Sequence, residues 1–492
     1  MNILLIMCDQ LCCSVLESYG GGADTPNIRK IAENGMVFDS AYCQTPVCSP
    51  SRASIITGRY PHNHGIVGNV MRIDYPAVGG PETEEGINND DVTTESVLYK
   101  NGYNVMHAGK WHISGEELGF YKSMYREHQE YGREMKEKFD FYKSRHKRDG
   151  FMDWYGWTLP VTVSPRFKNH MEKIYSRENN SRYSAIDEFF RKLGRLDMPV
   201  EDVYDYRIAS KCVEAIQNTD FPFMLTCSFN MPHDPNLAPP PYYESVRADR
   251  IEADAGLPCH DRYINDLSKQ IPMLAGNIFL NEFLKIYYAT VKFVDDQIGR
   301  VLDALKKKGV FEDTCVIFTA DHGDMAGGHG MFWKSTSAFY DEITSVPLII
   351  SAPGLKKGRY SKPVELVDIM PTILDMCGIG PAADIDGQSL APVMKGGGLL
   401  KTTAISERLD FGSEKKRFSH VCDENENFML RGERYKYVIH RNKNEDCQML
   451  FDLDNDPREY VDLYGLPEYR EIADEMRETL RILLAESNYK FI

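Results

Sequence analysis

At 492 residues with a formal net charge of -16 and a pI near 5.4, the chain is too long for one compact core of ordinary size. It is also too acidic to offer the positive footprint that nucleic acid or an anionic membrane surface demands. No stretch reaches the apolar length that spans a bilayer, and Met1-Asn2 leads straight into ILLIM without a basic leader, so a soluble, cytoplasmic protein with no membrane partner is expected.

The 12 cysteines are scattered, several of them (Cys8, Cys227, Cys315) inside apolar runs, and they form no zinc-type CxxC ladder. Reduced thiols are the expectation. In chain order, NILLIM reads as a strand, TPNIRKIAENG as a helix stopped by Gly35, and MVFDSAY as a second strand. The run CSPSRASIITGRYPHNHG then predicts a helix that begins at Cys48 and closes at Thr57-Gly58. A cysteine at a helix N-terminus sits among unsatisfied N–H groups, and Arg52, about one turn further on, points its guanidinium at an anion held there. YNVMHAG is a third strand. Strand, helix, strand is the rhythm of an α/β fold.

From about Gly115 to Asp202 the rhythm breaks, and this stretch reads as an insertion bordering the pocket. Beyond it, FPFMLTCSF is a buried strand, NEFLKIYYATVKFVDDQIGRVLDALKKKG an amphipathic helix closed by Gly309, and TCVIFTADHGD and VPLIISAPG two further strands. Ligands of open α/β sheets gather beyond strand carboxyl ends, and Asp9, His233, Asp321 and His322 each follow such a run. The helix VELVDIMPTILDMCGIG ends at Gly378, and the glycine cluster of DGQSLAPVMKGGG reads as a linker. FMLRGERYKYVIHR and QMLFDLDNDPREYVDL then suggest a small antiparallel sheet, followed by the terminal helix EYREIADEMRETLRILLAE. The expected division is a large α/β unit over 1–380 and a smaller C-terminal α+β unit over 381–492.

CxPSRxxxxTG resembles the sulfatase signature, and LFDLDNDPREYVDL resembles that family's C-terminal ELYDLxxDPxExxNL element. The likeness therefore covers nearly the whole chain, the 115–202 insertion excepted. It implies an alkaline-phosphatase-like fold, with a large central mixed sheet flanked by helices. It also implies that Cys48 is oxidised by a formylglycine-generating enzyme to formylglycine, whose hydrate is the nucleophile.

By the same resemblance Asp9, Gln10, Asp321 and His322, with the Cys48 derivative, hold a divalent cation, usually calcium. Gln10 and His322 stand where sulfatases commonly carry Asp and Asn. An imidazole ligand shifts preference toward manganese or another transition metal, and related phosphonate monoester hydrolases and choline-sulfatase-like enzymes share these pairs. Lys110 and His112 in HAGKWH, His233 in NMPHDP and Lys334 in GMFWKST match the family's catalytic set. Asn69 in HGIVGN is a weaker candidate for a substrate contact.

In the implied mechanism Arg52, Lys110, Lys334 and the cation clamp the sulfate oxygens. His233 with Lys334 protonates the leaving alcohol, and His112 helps expel sulfate. The expected activity is hydrolysis of a sulfate ester, with a sulfated carbohydrate favoured over choline sulfate or an aryl sulfate. Two alternatives stand beside it: a phosphonate monoester or phosphodiester hydrolase, which Lys110 and His112 disfavour, and a non-catalytic binder of sulfated ligands that keeps its thiol.

Overall fold

The computed structural model describes residues 1–70, 86–113, 122–126, 135, 137–138, 151–152, 158–175, 193–247, 267–335, 338–410, 425–442 and 446–489. Its large sheet contains β1 (Asn2–Asp9), β2 (Met36–Tyr42), β3 (Asn104–Gly109), β4 (Lys122–Arg126), β5 (Phe223–Pro232), β6 (Thr314–Ala320), β7 (Ser345–Ser351) and β8 (Gly358–Tyr360). They lie in the order β8-β2-β7-β6-β1-β5-β3-β4, with Val364–Glu365 pairing against β2 as a ninth strand. Strands β4, β3, β5, β1 and β6 are parallel, whereas β7 is antiparallel to both of its neighbours, so the sheet is mixed as expected.

Every residue of β1 and of β6 is buried. Continuous apolar runs such as ILLIM and CVIF are what a sheet covered on both faces requires. The cover comes from two groups of helices. Helix α1 (Pro26–Glu33), α3 (Tyr204–Asn218) and α4 (Leu267–Lys308) pack together, and α2 (Cys48–Thr57) packs with α5 (Ile369–Met376). The stop residues act as expected: Gly58, Gly309 and Gly378 all have positive φ after the last turns of α2, α4 and α5. Helix α4 begins earlier than its pattern suggests and is interrupted at Gly276, whose φ and ψ are non-helical.

The C-terminal sheet is an antiparallel meander of β9 (Ala404–Asp410), β10 (Asn425–Arg431), β11 (Tyr435–Asn442) and β12 (Cys447–Asp452), against which α6 (Arg470–Glu486) packs. Alternate residues separate its two faces. Phe428, Leu430, Tyr437 and Ile439 meet Leu480 and Leu484, whereas Met429, Val438 and Met449 meet Phe339, Tyr340 and Ile343 of the preceding chain. Burial on both sides explains why these strands do not alternate apolar and polar residues.

The segment read as a linker is more tightly held than its glycines suggest. Leu390, Ala391, Val393 and Met394 belong to the large core, and the N–H groups of Asp386 and Gly387 both bond the Gly58 carbonyl. A Cβ on Gly387 would lie 2.1 Å from the Val367 carbonyl oxygen, so this approach admits only glycine. Most of the 115–202 stretch lies outside the described residues. Among those described, β4 extends the large sheet, and Val161–Thr162 and Leu193–Leu196 form a small sheet with Asn236–Ala238.

Candidate active site

Strands β3, β5, β1 and β6 lie side by side and point the same way, so the residues just beyond their carboxyl ends converge. Strand β1 delivers Asp9 and Gln10, and β6 delivers Asp321 and His322. Gln10 turns out of the strand with φ 60°. Its N–H donates to Asp321 Oδ1 at 3.1 Å, and its carbonyl accepts from the Tyr287 hydroxyl at 2.7 Å. Strand β3 ends at Gly109, φ 104°, where a Cβ would sit 1.9 Å from the Ser228 carbonyl oxygen. Only glycine passes there, and the next residue, Lys110, enters the site with its N–H on that same carbonyl at 3.0 Å.

Cys48 is the first residue of α2 and is fully buried. The N-cap residue, Val47, offers no side-chain acceptor. Instead Asn69 Oδ1 accepts from the Ser49 N–H at 3.2 Å, and Ser49 Oγ joins the helix to the chain around His112 and Val70. The contact seen for Asn69 is thus with the helix N-terminus.

Around Cys48 Sγ stand His322 Nε2 at 3.2 Å, Asp9 Oδ1 at 3.7 Å and Lys334 Nζ at 2.9 Å. Lys334 Nζ is also 3.2 Å from His233 Nε2, and Lys110 forms an ion pair with Asp9. Ten of the eleven sequence-selected residues are therefore at or next to one buried point, and Asn69 buttresses the helix that carries Cys48.

Arg52 differs from expectation. Its Nε donates to Asp321 Oδ2 at 2.7 Å and its Nη2 to Asp9 Oδ2 at 3.1 Å, while Nη1 reaches the Lys110 carbonyl and Ser228 Oγ at 2.9 and 2.8 Å. The guanidinium is spent on fixing two carboxylates rather than aimed at an open anion position. One planar fork holds the ends of β1 and β6 in a single geometry.

The electrostatics follow from burial and this ring of cations. Burial alone would push the Cys48 thiol up, but Lys110, Lys334, His322 and a hydrogen bond with His112 outweigh it and hold it well below the usual thiol range. Burial and the Cys48 sulfur push Asp9 up, yet Lys110, His233 and Arg52 prevail, so it is ionised. Burial would depress His322, and the adjacent Asp321 raises it instead.

These side chains suit a divalent cation. The ligand atoms of Asp9, Cys48, Asp321 and His322 all lie within 4.8 Å of one another, and all four residues are buried. Gln10 Oε1 is also buried and has no hydrogen-bond partner, an arrangement that is costly unless something electropositive faces the oxygen. Carboxylate, amide and imidazole donors together accept hard or borderline metals. Sequence reasoning missed Ser228, Tyr287 and Asp324. Only Asp324 carried a signal, three residues after Asp321 within DHGD.

Residues 1–379 match the sulfatase family and residues 327–486 match the C-terminal region of N-sulphoglucosamine sulphohydrolase. The chain belongs to the sulfatase family and is accordingly a sulfuric ester hydrolase. It is 29% identical to an arylsulfatase of Clostridium perfringens, covering 97% of this chain and 93% of that one. It is 25% identical to an N-acetylglucosamine-6-O-sulfatase of Bacteroides thetaiotaomicron, over 98% and 85%. The crystal structure of the phosphonate monoester hydrolase of Agrobacterium radiobacter superposes with a TM-score of 0.74 at 23% identity, over 99% and 96% of the two chains, and shows the same fold.

Proposed function

We propose that this chain releases inorganic sulfate from a sulfated carbohydrate, with Cys48 acting as formylglycine and a divalent cation held by Asp9, Gln10, Asp321 and His322. The carrying observation is the crowding of Lys110, Lys334 and His322 around one buried cysteine at a helix N-terminus, a pocket built for a dianion. In the bound state the formylglycine supplies a hydrated carbonyl as nucleophile and the cation supplies charge neutralisation.

The remaining chemistry belongs to the chain's own groups. Lys110 and Lys334 stabilise charge spreading over the sulfate oxygens. His233, hydrogen-bonded through Nδ1 to the Asp234 carbonyl at 2.7 Å, presents Nε2 beside Lys334, where the pair delivers a proton to the departing alcohol oxygen. His112, next to Cys48, takes the proton that accompanies release of sulfate. Arg52 keeps both carboxylates in place throughout. Calcium is the first expectation for the cation, and the imidazole of His322 makes manganese the alternative.

The carbohydrate assignment draws support from the N-acetylglucosamine-6-O-sulfatase likeness over nearly the whole chain. The ten described cysteines are unpaired and eight of them are buried, which favours a reducing, cytoplasmic setting. No helix among the described residues is long and apolar enough to cross a membrane.

The test is a sulfate-release screen over sulfated monosaccharides, choline sulfate and aryl sulfates, with metal content and intact mass determined on the same preparation. Formylglycine lowers the mass of the Cys48 peptide by about 18 Da. Activity with an unmodified thiol overturns the proposal. A second reading, phosphonate monoester hydrolysis, draws support from the 0.74 TM-score and from Gln10 and His322. A higher kcat/KM on an aryl phosphonate than on the matching aryl sulfate would establish it.

A further inference from the structure

Asp324 lies three residues beyond Asp321, is fully buried, and has its two oxygens committed in different directions. Oδ1 accepts from the backbone N–H groups of Ala326 at 2.8 Å and Trp333 at 3.0 Å. Oδ2 accepts from Gln10 Nε2 at 2.7 Å. An amide has one donor end and one acceptor end, and a carboxylate that already accepts two backbone N–H groups can only accept again. The end of Gln10 that faces Asp324 must therefore be Nε2, and the other end, buried and without a partner, must be the oxygen.

We propose that Asp324 is a positioning residue that fixes the amide of Gln10 so that Oε1, not Nε2, is presented to the cation, and that it ties this ligand to the loop carrying Lys334. The second half follows from the Trp333 N–H, which belongs to the residue immediately before Lys334 and is held by the same carboxylate. One side chain thus sets both the polarity of a metal ligand and the anchor of the lysine beside Cys48. Such outer partners of ligands typically contribute ten- to a hundred-fold, on the order of 10–100, to metal affinity. The proposal rests on the cation binding put forward above, and not on the identity of the ester.

A near-isosteric exchange provides the test. In D324N the two backbone donors still require an oxygen at the Oδ1 position, so the new amide nitrogen faces residue 10. Gln10 must then turn its oxygen toward Asn at that position and its NH2 toward the cation, losing a ligand. In the double variant Q10E/D324N a carboxylate at position 10 accepts from the new amide with one oxygen and keeps the other for the cation, at unchanged net charge.

Calorimetric titration of the metal-stripped full chain with Ca2+ alone and with Mn2+ alone reads the result without any sulfate ester. The expected outcome for D324N is affinity weaker by about 10–100-fold, with Q10E/D324N at least as tight as the parent chain. Parent-like affinity in D324N overturns the proposal, as does a double variant no tighter than the single one. Should D324N fail to fold, the double variant alone decides: parent-like affinity supports the exchange, and failure to fold or to bind overturns it. If the parent chain binds neither ion, the metal reading fails and takes this proposal with it, whereas intact parent binding with an unaffected D324N removes this proposal alone.

Discussion

Glu95 is a buried carboxylate on the short helix Thr94–Lys100, and the hydrogen bonds of its own N–H and of the Thr93 side chain only partly offset its burial. Burial pushes it up from 4.5 to about 7. Because its proton is held more tightly in the folded chain than in the unfolded one, its contribution is most favourable below pH 4.5 and declines as pH rises to about 7. At about 1.4 kcal/mol per pH unit, the gap amounts to about 3 kcal/mol lost by pH 8. Glu95→Gln keeps the shape and removes the titration.

The unfolding entropy of a chain this size is on the order of 1 kcal/mol/K, so the lost 3 kcal/mol corresponds to about 3 °C. Thermal unfolding of both proteins at one scan rate, from about pH 5 to about pH 8, should show the melting-temperature difference moving by about 3 °C in favour of the glutamine variant as pH rises. The desolvation of the new amide offsets both ends of the range equally, so the slope of the difference is the readout. Parallel curves across that window would refute the account of Glu95 as an acid destabilised by burial.

Cys48→Ala should abolish sulfate release, and Cys48→Ser should give at most one turnover per chain with a sulfated protein visible by intact mass, because a single hydroxyl lacks the second proton that drives expulsion. Arg52→Lys replaces a fork bridging Asp9 and Asp321 by a point charge, and calorimetry should show metal affinity falling by about tenfold or more even where circular dichroism shows a folded chain. Lys436 is fully buried between Asp341 and Glu459, at 2.7 and 2.8 Å. Lys436→Met should cost about 3–5 kcal/mol in denaturant unfolding near pH 8. The loss should shrink toward pH 5, since burial already pushes Glu459 up to about 7 and the protonated acid tolerates losing its cation.

The strands of the large sheet and the glycine stops of α2, α4 and α5 were legible because apolar runs and positive-φ glycines are local signals. So was the convergence of Asp9, Cys48, Lys110, His233, Asp321 and His322, which stand at or just past the end of a strand or at the start of a helix, whereas Lys334 lies in a loop and was reached only through its resemblance to the family motif. What sequence could not show is where a side chain spends its hydrogen bonds. Arg52 looked free to meet an anion because nothing local announces that Asp9 and Asp321, 43 and 269 positions away, meet its two edges. The linker reading failed to anticipate Leu390 to Met394 in the core for a similar reason: glycines advertise flexibility, while the packing that removes it comes from Val367 and Gly58.

If Cys48 is converted to formylglycine as proposed, its sealed position sets a timetable for the enzyme that edits it. A side chain with no solvent contact, on a helix whose nine other residues are all buried as well, offers no foothold to a second macromolecule once the chain has folded. On that proposal the conversion has to happen on the nascent, still extended polypeptide. Under the same proposal, protein that folds first is expected to stay inert, and supplying the oxidising enzyme afterwards comes too late.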